Sequence, residues 1–160
     1  MSVATDAPAS LTSDLCWLLA RASHGLNTEL TAALEGLGIS PRAHSVLLTA
    51  LTGEHTQGEI ARIVGLDKTT MVVTVDELEA AGLAERQPSS SDRRARVIVV
   101  TEVGERKARD ADRVLDRVRA DVLSELPPDD RDAFLRALGT LACGRLSEPV
   151  PCTHPVRRRG

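Results

Sequence analysis

Apolar residues recur every three or four positions between Leu11 and Leu37, which is the spacing of one buried helix face. The positions on this face are Leu11, Leu15, Leu18, Ala22, Leu26, Leu30, Ala33 and Leu37. The pattern predicts one long amphipathic helix that stops at Gly36-Leu37-Gly38. Ser40 and Pro41 then predict an N-cap and a first-turn proline for a second helix, which extends to Leu51.

Two short helices separated by a tight turn are predicted next. Thr56 and Glu59 have the spacing of a capping box, in which each side chain bonds the free backbone amide of the other residue. Gly65 suits the left-handed residue that ends such a helix, and Asp67 can cap the following helix over 68–81. This arrangement is typical of a helix-turn-helix.

After Gly82 the apolar period changes to that of strands. Residues 83–87 and 94–100 predict two strands, and 88–93 connects them as a hairpin. Thr101 begins another long helix, Pro127-Pro128 breaks it, and a final helix is predicted over 129–146. The predicted fold class is therefore mainly α with a small β-hairpin wing, a winged helix-turn-helix inside an α-helical frame.

Composition indicates the broad class of the protein. The chain has 160 residues, of which 42% are hydrophobic and 27% charged, as in globular proteins. No apolar run approaches the roughly 20 residues of a membrane span, and the first residues lack the features of a secretory signal. We therefore expect a cytoplasmic protein without a membrane partner. The net charge of −3 argues only weakly against nucleic acid, because the distribution of charge matters more than its sum.

Catalytic and metal-binding motifs are not found in the sequence. The four histidines lack HExxH spacing, and no serine lies in a Gly-x-Ser-x-Gly turn. The three cysteines are widely spaced, which argues against a disulfide framework or a metal site. We therefore predict a protein that is not an enzyme and that has no metal and no cofactor.

Residues 56–104 resemble the winged helix-turn-helix core of the MarR family of bacterial transcription regulators. The wing signature of that family, Asp-Arg-Arg followed by a strand and Thr-x-x-Gly, stands here as Asp92-Arg93-Arg94 and Thr101-Glu102-Val103-Gly104. Weaker similarity covers residues 11–146. The resemblance implies a homodimer with intertwined terminal helices, so that the frame of the fold is an α-helical dimerisation frame with two DNA-binding lobes.

The domain organisation follows from this resemblance and from the composition of the ends. We expect a disordered N-terminus over 1–10 and a flexible C-terminal tail over 148–160. Residues 11–40 and 105–147 are expected to form the helical dimerisation region. Residues 41–104 are expected to form the DNA-binding domain.

The expected DNA contacts lie on the second helix of the helix-turn-helix and on the hairpin. They are Lys68, Thr69, Thr70, Val73, Thr74, Arg93, Arg94 and Arg96. The N-terminus of such a helix enters the major groove, where its free amides also favour phosphate, and wing arginines can reach the minor groove. The alternatives are an ordinary first helical turn and arginines that only solubilise a hairpin.

Two further expectations come from the family pattern. Asp92 is expected to support the wing by holding an arginine through a charge-assisted bond. Members of the family often carry an arginine at about the position of Val73, and this chain has valine there. Base readout should therefore rest on the lysine, the threonines and apolar contacts with thymine methyl groups.

Cys16 has two interpretations. Residues 11–24 resemble the first helix of the organic-hydroperoxide-sensing branch, in which the matching cysteine is the peroxidatic residue. That branch also uses tyrosines, and this chain has none, whereas a free cysteine is usually a small buried hydrophobe. Trp17, His24 and His44 are candidates for a ligand pocket.

The sequence thus predicts a sequence-specific DNA-binding transcription regulator, a repressor that is relieved by a ligand and binds an inverted-repeat operator as a homodimer. Its expected partners are double-stranded DNA, a second copy of the chain and an unknown small-molecule effector. One alternative is a thiol-based redox-sensing regulator of the same fold that uses Cys16. Another is a winged-helix module that binds a protein and no DNA.

Overall fold

The computed structural model of the chain describes residues 8–148. Most of the expected N-terminal and C-terminal loose ends, 1–7 and 149–160, therefore lie outside the described residues, as does Cys152. The described part has the following elements: α1 (Ala9–Thr12), α2 (Leu15–Leu34), a 3-10 turn (Glu35–Leu37), α3 (Pro41–Ala50), α4 (Gln57–Val64), α5 (Lys68–Ala80), β1 (Ala84–Pro88), β2 (Arg96–Val100), α6 (Glu102–Ser124) and α7 (Pro128–Cys143). The predicted fold class, mainly helical with one hairpin wing, is confirmed.

The prediction of one long helix from Leu11 to Leu37 is wrong at its start, whereas the predicted stop at Gly36-Leu37-Gly38 is confirmed. Helix α1 ends at Thr12, and the carboxylate of Asp14 accepts a hydrogen bond from the Trp17 amide at 2.7 Å, so that α2 begins with its own N-cap. An aspartate at this position competes with the continuous helix for the same backbone amides. At the other end the last turn tightens into the 3-10 turn, and Gly38 follows in the left-handed conformation with φ 63°.

The predicted starts of α3, α4 and α5 and the predicted end of α4 are confirmed, whereas α7 ends at Cys143 and not at Leu146. The Ser40 hydroxyl accepts from the Ala43 amide at the start of α3. Thr56 and Glu59 form the complete capping box of α4, which ends at Gly65 with φ 76°. These signals are local, since a side chain bonds an amide two or three residues away.

The main core is apolar and lies where α2, α3, α4, α5, the hairpin and α6 meet. Its fully buried members include Leu34, Val46, Leu47, Ile60, Met71, Val75, Leu78, Ile98, Ala108, Ala111 and Leu115. Burial of one large aliphatic side chain stabilises a fold by about 1.5–3 kcal/mol. This cluster therefore holds the helix-turn-helix and the hairpin as one body.

The hairpin is antiparallel, with Ala84 opposite Val100 and Pro88 opposite Arg96. The predicted strands were slightly misplaced, because Arg94 lies in the turn and the second strand begins only at Arg96. The Ile98 amide donates to the His55 carbonyl at 3.0 Å, which ties β2 to the loop before α4. The wing is thus anchored at its base by backbone bonds.

The Thr-x-x-Gly signature has a physical explanation at the start of α6. The Thr101 hydroxyl donates to the Gly82 carbonyl at 2.8 Å and accepts from the Gly104 amide at 3.0 Å. A Cβ atom on Gly104 would lie 1.9 Å from the Leu83 carbonyl oxygen. The close approach of helix and hairpin therefore requires glycine at this position.

The chain divides into two compact units with a boundary between Ala120 and Asp121. In the second unit, the Arg131 guanidinium donates to the carbonyls of Leu126 and Ser124 at 3.1 and 3.2 Å. These bonds satisfy carbonyls at the end of α6, which a helix C-terminus leaves without partners. None of the helices that the structure describes is both long and apolar enough to cross a membrane.

Candidate nucleic-acid interface

Helix α5 buries one face and exposes the other. Met71, Val75 and Leu78 point into the core. The exposed stripe on the opposite side, at steps of three and four residues, consists of Thr69, Val72, Val73 and Asp76, with Lys68 at its N-terminal end. Val72 and Val73 are 37% and 46% exposed. An exposed stripe of this mixed character is suited to contact base edges and thymine methyl groups.

The N-terminus of α5 is occupied by the carboxylate of Asp67. It accepts from the amides of Thr69 and Thr70 at 2.9 and 3.0 Å and from the Thr70 hydroxyl at 2.5 Å. These bonds, that of the Thr70 hydroxyl first, lower the pKa of Asp67, so the carboxylate is charged at neutral pH. The expectation of free amides for phosphate is therefore wrong for Thr69 and Thr70, and the Thr70 hydroxyl serves the cap.

Thr74 does not belong to the exposed stripe. It is 0% exposed, and its hydroxyl donates to the Thr70 carbonyl at 2.8 Å. The prediction that it contacts DNA is wrong, because position 74 faces the same side of the helix as Met71 and Val75. Lys68, Thr69 and Val73 remain exposed and stay as predicted contacts.

The wing tip is a tight turn that exposes Arg93 and Arg94, and Arg96 is exposed at the start of β2. The Asp92 carboxylate accepts from the Arg94 amide at 2.9 Å, and the Asp92 carbonyl accepts from the Ala95 amide at 2.9 Å. The expectation that Asp92 holds an arginine side chain is therefore wrong. A short aspartate side chain reaches its own backbone two residues on more readily than a guanidinium. Asp92 shapes the wing, and the arginine side chains extend into solvent.

Glu54 is a wing support that the sequence analysis missed. Its carboxylate accepts from the Ser89 hydroxyl at 2.9 Å and from the Ser90 amide at 3.1 Å. Hydrogen bonds from Ser90 and Ser89 lower the pKa of Glu54. The serines of the hairpin thus fasten the wing to the loop between α3 and α4.

Arg86 on β1 is the second missed residue. Its side chain bonds Asp76 and Glu79 of α5 and Gln57 of α4. No sequence signal marks these contacts beyond the charges themselves, since Gln57 and Arg86 are 29 residues apart. Arg86 links the hairpin to both helices of the helix-turn-helix.

A groove of about 740 Å³ lies away from α5, along α2 and the start of α3. Its lining consists of His24, Asn27, Thr28, Thr31, Ala32, Leu34, Glu35, Gly38, Ile39 and Ser40. Of the three predicted pocket residues, His24 lines this groove. Trp17 instead lies under the Arg21 guanidinium, 5.8 Å from the ring centroid.

His44 is buried in α3 and does not line the groove, so the structure does not bring it together with His24. Its Nε2 atom lies 3.6 Å from Asp112 Oδ1, beyond hydrogen-bond distance. Burial lowers the pKa of His44, and this effect outweighs the opposing attraction of Asp112. His44 is thus a neutral core residue at neutral pH.

Cys16 is exposed on α2. It is therefore not the small buried hydrophobe of one interpretation, at least within a single chain. Within residues 8–148, no cluster of three or more histidine, cysteine, aspartate or glutamate side chains has a geometry that can hold a metal ion.

The chain is similar to known transcription regulators in sequence and in structure. The MarR family model matches residues 37–95. CouR from Rhodococcus jostii RHA1, bound to p-coumaroyl-CoA, is 31% identical over 84% of this chain and 96% of its own, with a TM-score of 0.75. The transcriptional repressor CouR bound to a 23-mer DNA duplex gives the same identity, coverage and TM-score. A MarR family protein of Mycobacterium tuberculosis, in complex with p-aminosalicylic acid, is 27% identical over 81% of this chain and 99% of its own, with a TM-score of 0.68.

Proposed function

Because the chain belongs to the MarR family of transcription regulators, we propose that it is a repressor that binds an inverted-repeat operator as a homodimer. The observation that carries the proposal is the exposed stripe of α5 together with the exposed arginines of the wing. A repressor that is 31% identical to this chain is known in complex with duplex DNA. A reading helix beside a basic hairpin is the expected footprint of a protein that binds DNA.

The proposed DNA contacts fall into two groups, one for the major groove and one for the minor groove. Lys68, Thr69, Val72 and Val73 are the residues for the major groove, because they occupy the exposed side of α5 near its N-terminus. Arg93, Arg94 and Arg96 are the residues for the minor groove and the phosphates beside it. Most of the affinity should come from the charged contacts and most of the discrimination from α5.

A second copy of the chain is the proposed partner for the apolar surface of the terminal helices. In the first unit Leu11, Leu15 and Leu18 are exposed, and in the second unit Phe134, Leu135 and Leu141 are exposed. Monomeric proteins rarely leave such apolar clusters in contact with water. A two-fold dimer would bury them and would present two copies of α5 to the two halves of an operator.

The groove lined by His24 is the proposed effector site. Its walls combine apolar side chains such as Leu34 and Ile39 with polar ones such as Asn27 and Thr31, as is usual for small-molecule sites. Two of the similar structures hold small molecules, p-coumaroyl-CoA and p-aminosalicylic acid. Both compounds are the first to test for release of the operator.

Selection from a random duplex library tests the DNA-binding proposal. The protein is incubated with the library at low salt, bound duplexes are amplified, and affinities of enriched sequences are measured by fluorescence anisotropy. We expect an enriched inverted repeat with half-sites about one helical turn apart. Absence of enrichment at any salt concentration would reject DNA binding and favour the protein-interaction alternative.

A redox-sensing regulator of the same fold is the second candidate, and the exposure of Cys16 favours it. Mild peroxide treatment followed by intact-mass analysis and an operator-binding assay tests this function. Oxidation that releases the operator from the wild-type protein, but not from Cys16→Ser, would support it. Unchanged binding in spite of oxidised Cys16 would reject it.

A further inference from the structure

Arg86 joins three elements of the DNA-binding domain through one side chain and its own amide. The Nη2 atom donates to Asp76 Oδ1 at 2.7 Å and to Gln57 Oε1 at 3.2 Å, and Nε donates to the same Gln57 oxygen at 3.3 Å. The Nη1 atom pairs with Glu79, whose other carboxylate oxygen accepts from the Arg86 amide at 2.8 Å. Hairpin, α4 and α5 are therefore held together at one guanidinium.

Asp76 gives this network a consequence for DNA. It lies on the exposed stripe of α5, in line with Thr69, Val72 and Val73, and its side chain is 59% exposed. A carboxylate on the surface that approaches DNA is repelled by the phosphates, over distances of the Debye length of about 10 Å. In this structure that charge is paired with Arg86.

We propose that Arg86 is a positioning residue for operator recognition, which acts by neutralising Asp76 and by fixing α5 against Gln57 of α4. Arg86 is partly buried, with 27% of its side chain exposed, so it contributes through α5 rather than as one more wing arginine. The inference rests on the proposed DNA binding. It adds a residue that lies neither on the exposed stripe of α5 nor among the three exposed arginines of the wing.

Arg86, Asp76 and Glu79 form a cluster whose net charge can be changed by substitution, and this gives a direct test. One guanidinium and two carboxylates, those of Asp76 and Glu79, carry one net negative charge. Arg86→Gln removes the only positive charge of the cluster and leaves both carboxylates without a positively charged partner. Addition of Asp76→Asn to that variant returns the cluster to its original net charge without restoring the guanidinium.

The experiment measures operator affinity for the 160-residue chain by fluorescence anisotropy over a series of salt concentrations. The probe is the duplex selected with the wild-type protein. We expect Arg86→Gln to lower the affinity about tenfold at low salt, because the carboxylate of Asp76 then faces the DNA phosphates without its positive partner. We expect the double variant Arg86→Gln/Asp76→Asn to recover more than half of the loss in log affinity.

Three controls separate this role from a general effect on folding. Arg109→Gln breaks an exposed pair with Glu105 on α6 and should leave operator affinity unchanged. Asp76→Asn alone should not weaken binding. Circular dichroism melting identifies a temperature at which every variant is folded, and all affinities are measured there.

A double variant as weak as Arg86→Gln, with both proteins folded, would overturn the proposal, because a merely structural arginine is not replaced by the loss of a carboxylate. Full affinity in Arg86→Gln would overturn it as well. Failure of the wild-type protein to bind any selected duplex would instead reject the proposed function itself. The two failures are therefore distinguishable.

Discussion

His44 lies in α3 with 1% of its surface exposed, and the nearest carboxylate, Asp112, approaches its Nε2 atom to only 3.6 Å. The groups that act on it all come from α6. Asp112 and Asp116 raise its pKa, as does a hydrogen bond with the backbone of Ala108, whereas Arg119 lowers it. Burial is the largest of these effects and keeps the pKa of His44 below 6.5.

A folded-state pKa below that of the unfolded chain predicts a stability that depends on pH. The unfolded chain binds the proton more tightly, so the free energy of unfolding is at its full value above pH 6.5 and decreases as the pH falls below 6.5. Urea titrations between about pH 7.5 and about pH 5 measure this loss. His44→Gln cannot titrate, and its stability should therefore decrease less over the same range.

The carboxylates with lowered pKa values do not interfere with this measurement. Glu54, Glu59 and Asp67 have ordinary pKa values of 4.5, 4.5 and 3.8. Because their folded pKa values are lower, the stability that they contribute is present above these values and is lost only in more acidic solution. Parallel pH profiles of wild type and His44→Gln would contradict the assignment of His44 as the group responsible.

At the scale of residues, the sequence predicted caps well and the exposed face of α5 poorly. Thr56 and Asp67 are recognisable because each side chain bonds amides within three residues of itself. The face of α5 is harder to predict, since valines at 72, 73 and 75 lie on both sides of the helix. Only the position of the core shows that Thr74 points inward and Thr69 outward.

At the scale of elements, the wing depends on Glu54 for its attachment. Glu54→Ala removes the acceptor of the Ser89 hydroxyl and the Ser90 amide, so we expect a more mobile wing and a several-fold lower operator affinity. A decrease in affinity would indicate the loss of wing attachment and not the loss of charge. Loss of a negative charge near DNA would by itself strengthen binding.

The matched control is Glu29→Ala, which makes the same change of charge on the exposed surface of α2. Fluorescence anisotropy with the selected operator compares the two variants. Equal or higher affinity of Glu54→Ala would show that the contact with the serines does not serve DNA binding.

Arg94 at the wing tip should make a direct electrostatic contact. It is exposed, and its backbone is fixed by the bond from its amide to Asp92. Arg94→Ala should weaken operator binding and should reduce the slope of log affinity against log salt by about one unit per protomer. Arg113→Ala on α6 serves as the control, and an unchanged slope for Arg94→Ala would exclude the wing as a DNA contact.

The order of the elements was predictable from the sequence, and the contacts between them were not. Helix period, strand period, Gly65 and the proline pair are local signals, so the winged helix-turn-helix was predicted correctly. The bonds from Glu54 to Ser89 and from Arg86 to Gln57 join residues 35 and 29 positions apart. Such pairings depend on the packing of the hairpin on α4, which no local pattern contains.

At the scale of the whole molecule, dimerisation should be a condition for binding a complete operator. Leu15→Glu/Leu18→Glu places two charges on the exposed apolar surface of α2, and we expect a monomer with much reduced affinity for the inverted repeat. Leu51→Glu is the control, because Leu51 is exposed at the end of α3. Light scattering at micromolar concentration measures the mass, and a wild-type monomer would end the dimer hypothesis.

Operator readout depends on the assembly of the whole protein and on its contacts with single bases. With Thr74 buried and the Thr70 hydroxyl bonded to Asp67, the polar readers on α5 are reduced to Lys68 and Thr69. Val72 and Val73 remain exposed and suit the methyl group of thymine. Apolar contact should therefore carry much of the discrimination.

Replacement of thymine by uracil in the half-sites removes only methyl groups and leaves every hydrogen bond of the base pair. We expect this replacement to cost on the order of 1 kcal/mol at a sensitive position. In Val73→Ala the same replacement should cost less, because the valine methyl groups that contact the thymine are gone. If a guanine is sensitive and no thymine is, Lys68 is the main reader and the valines only fill the surface of the helix.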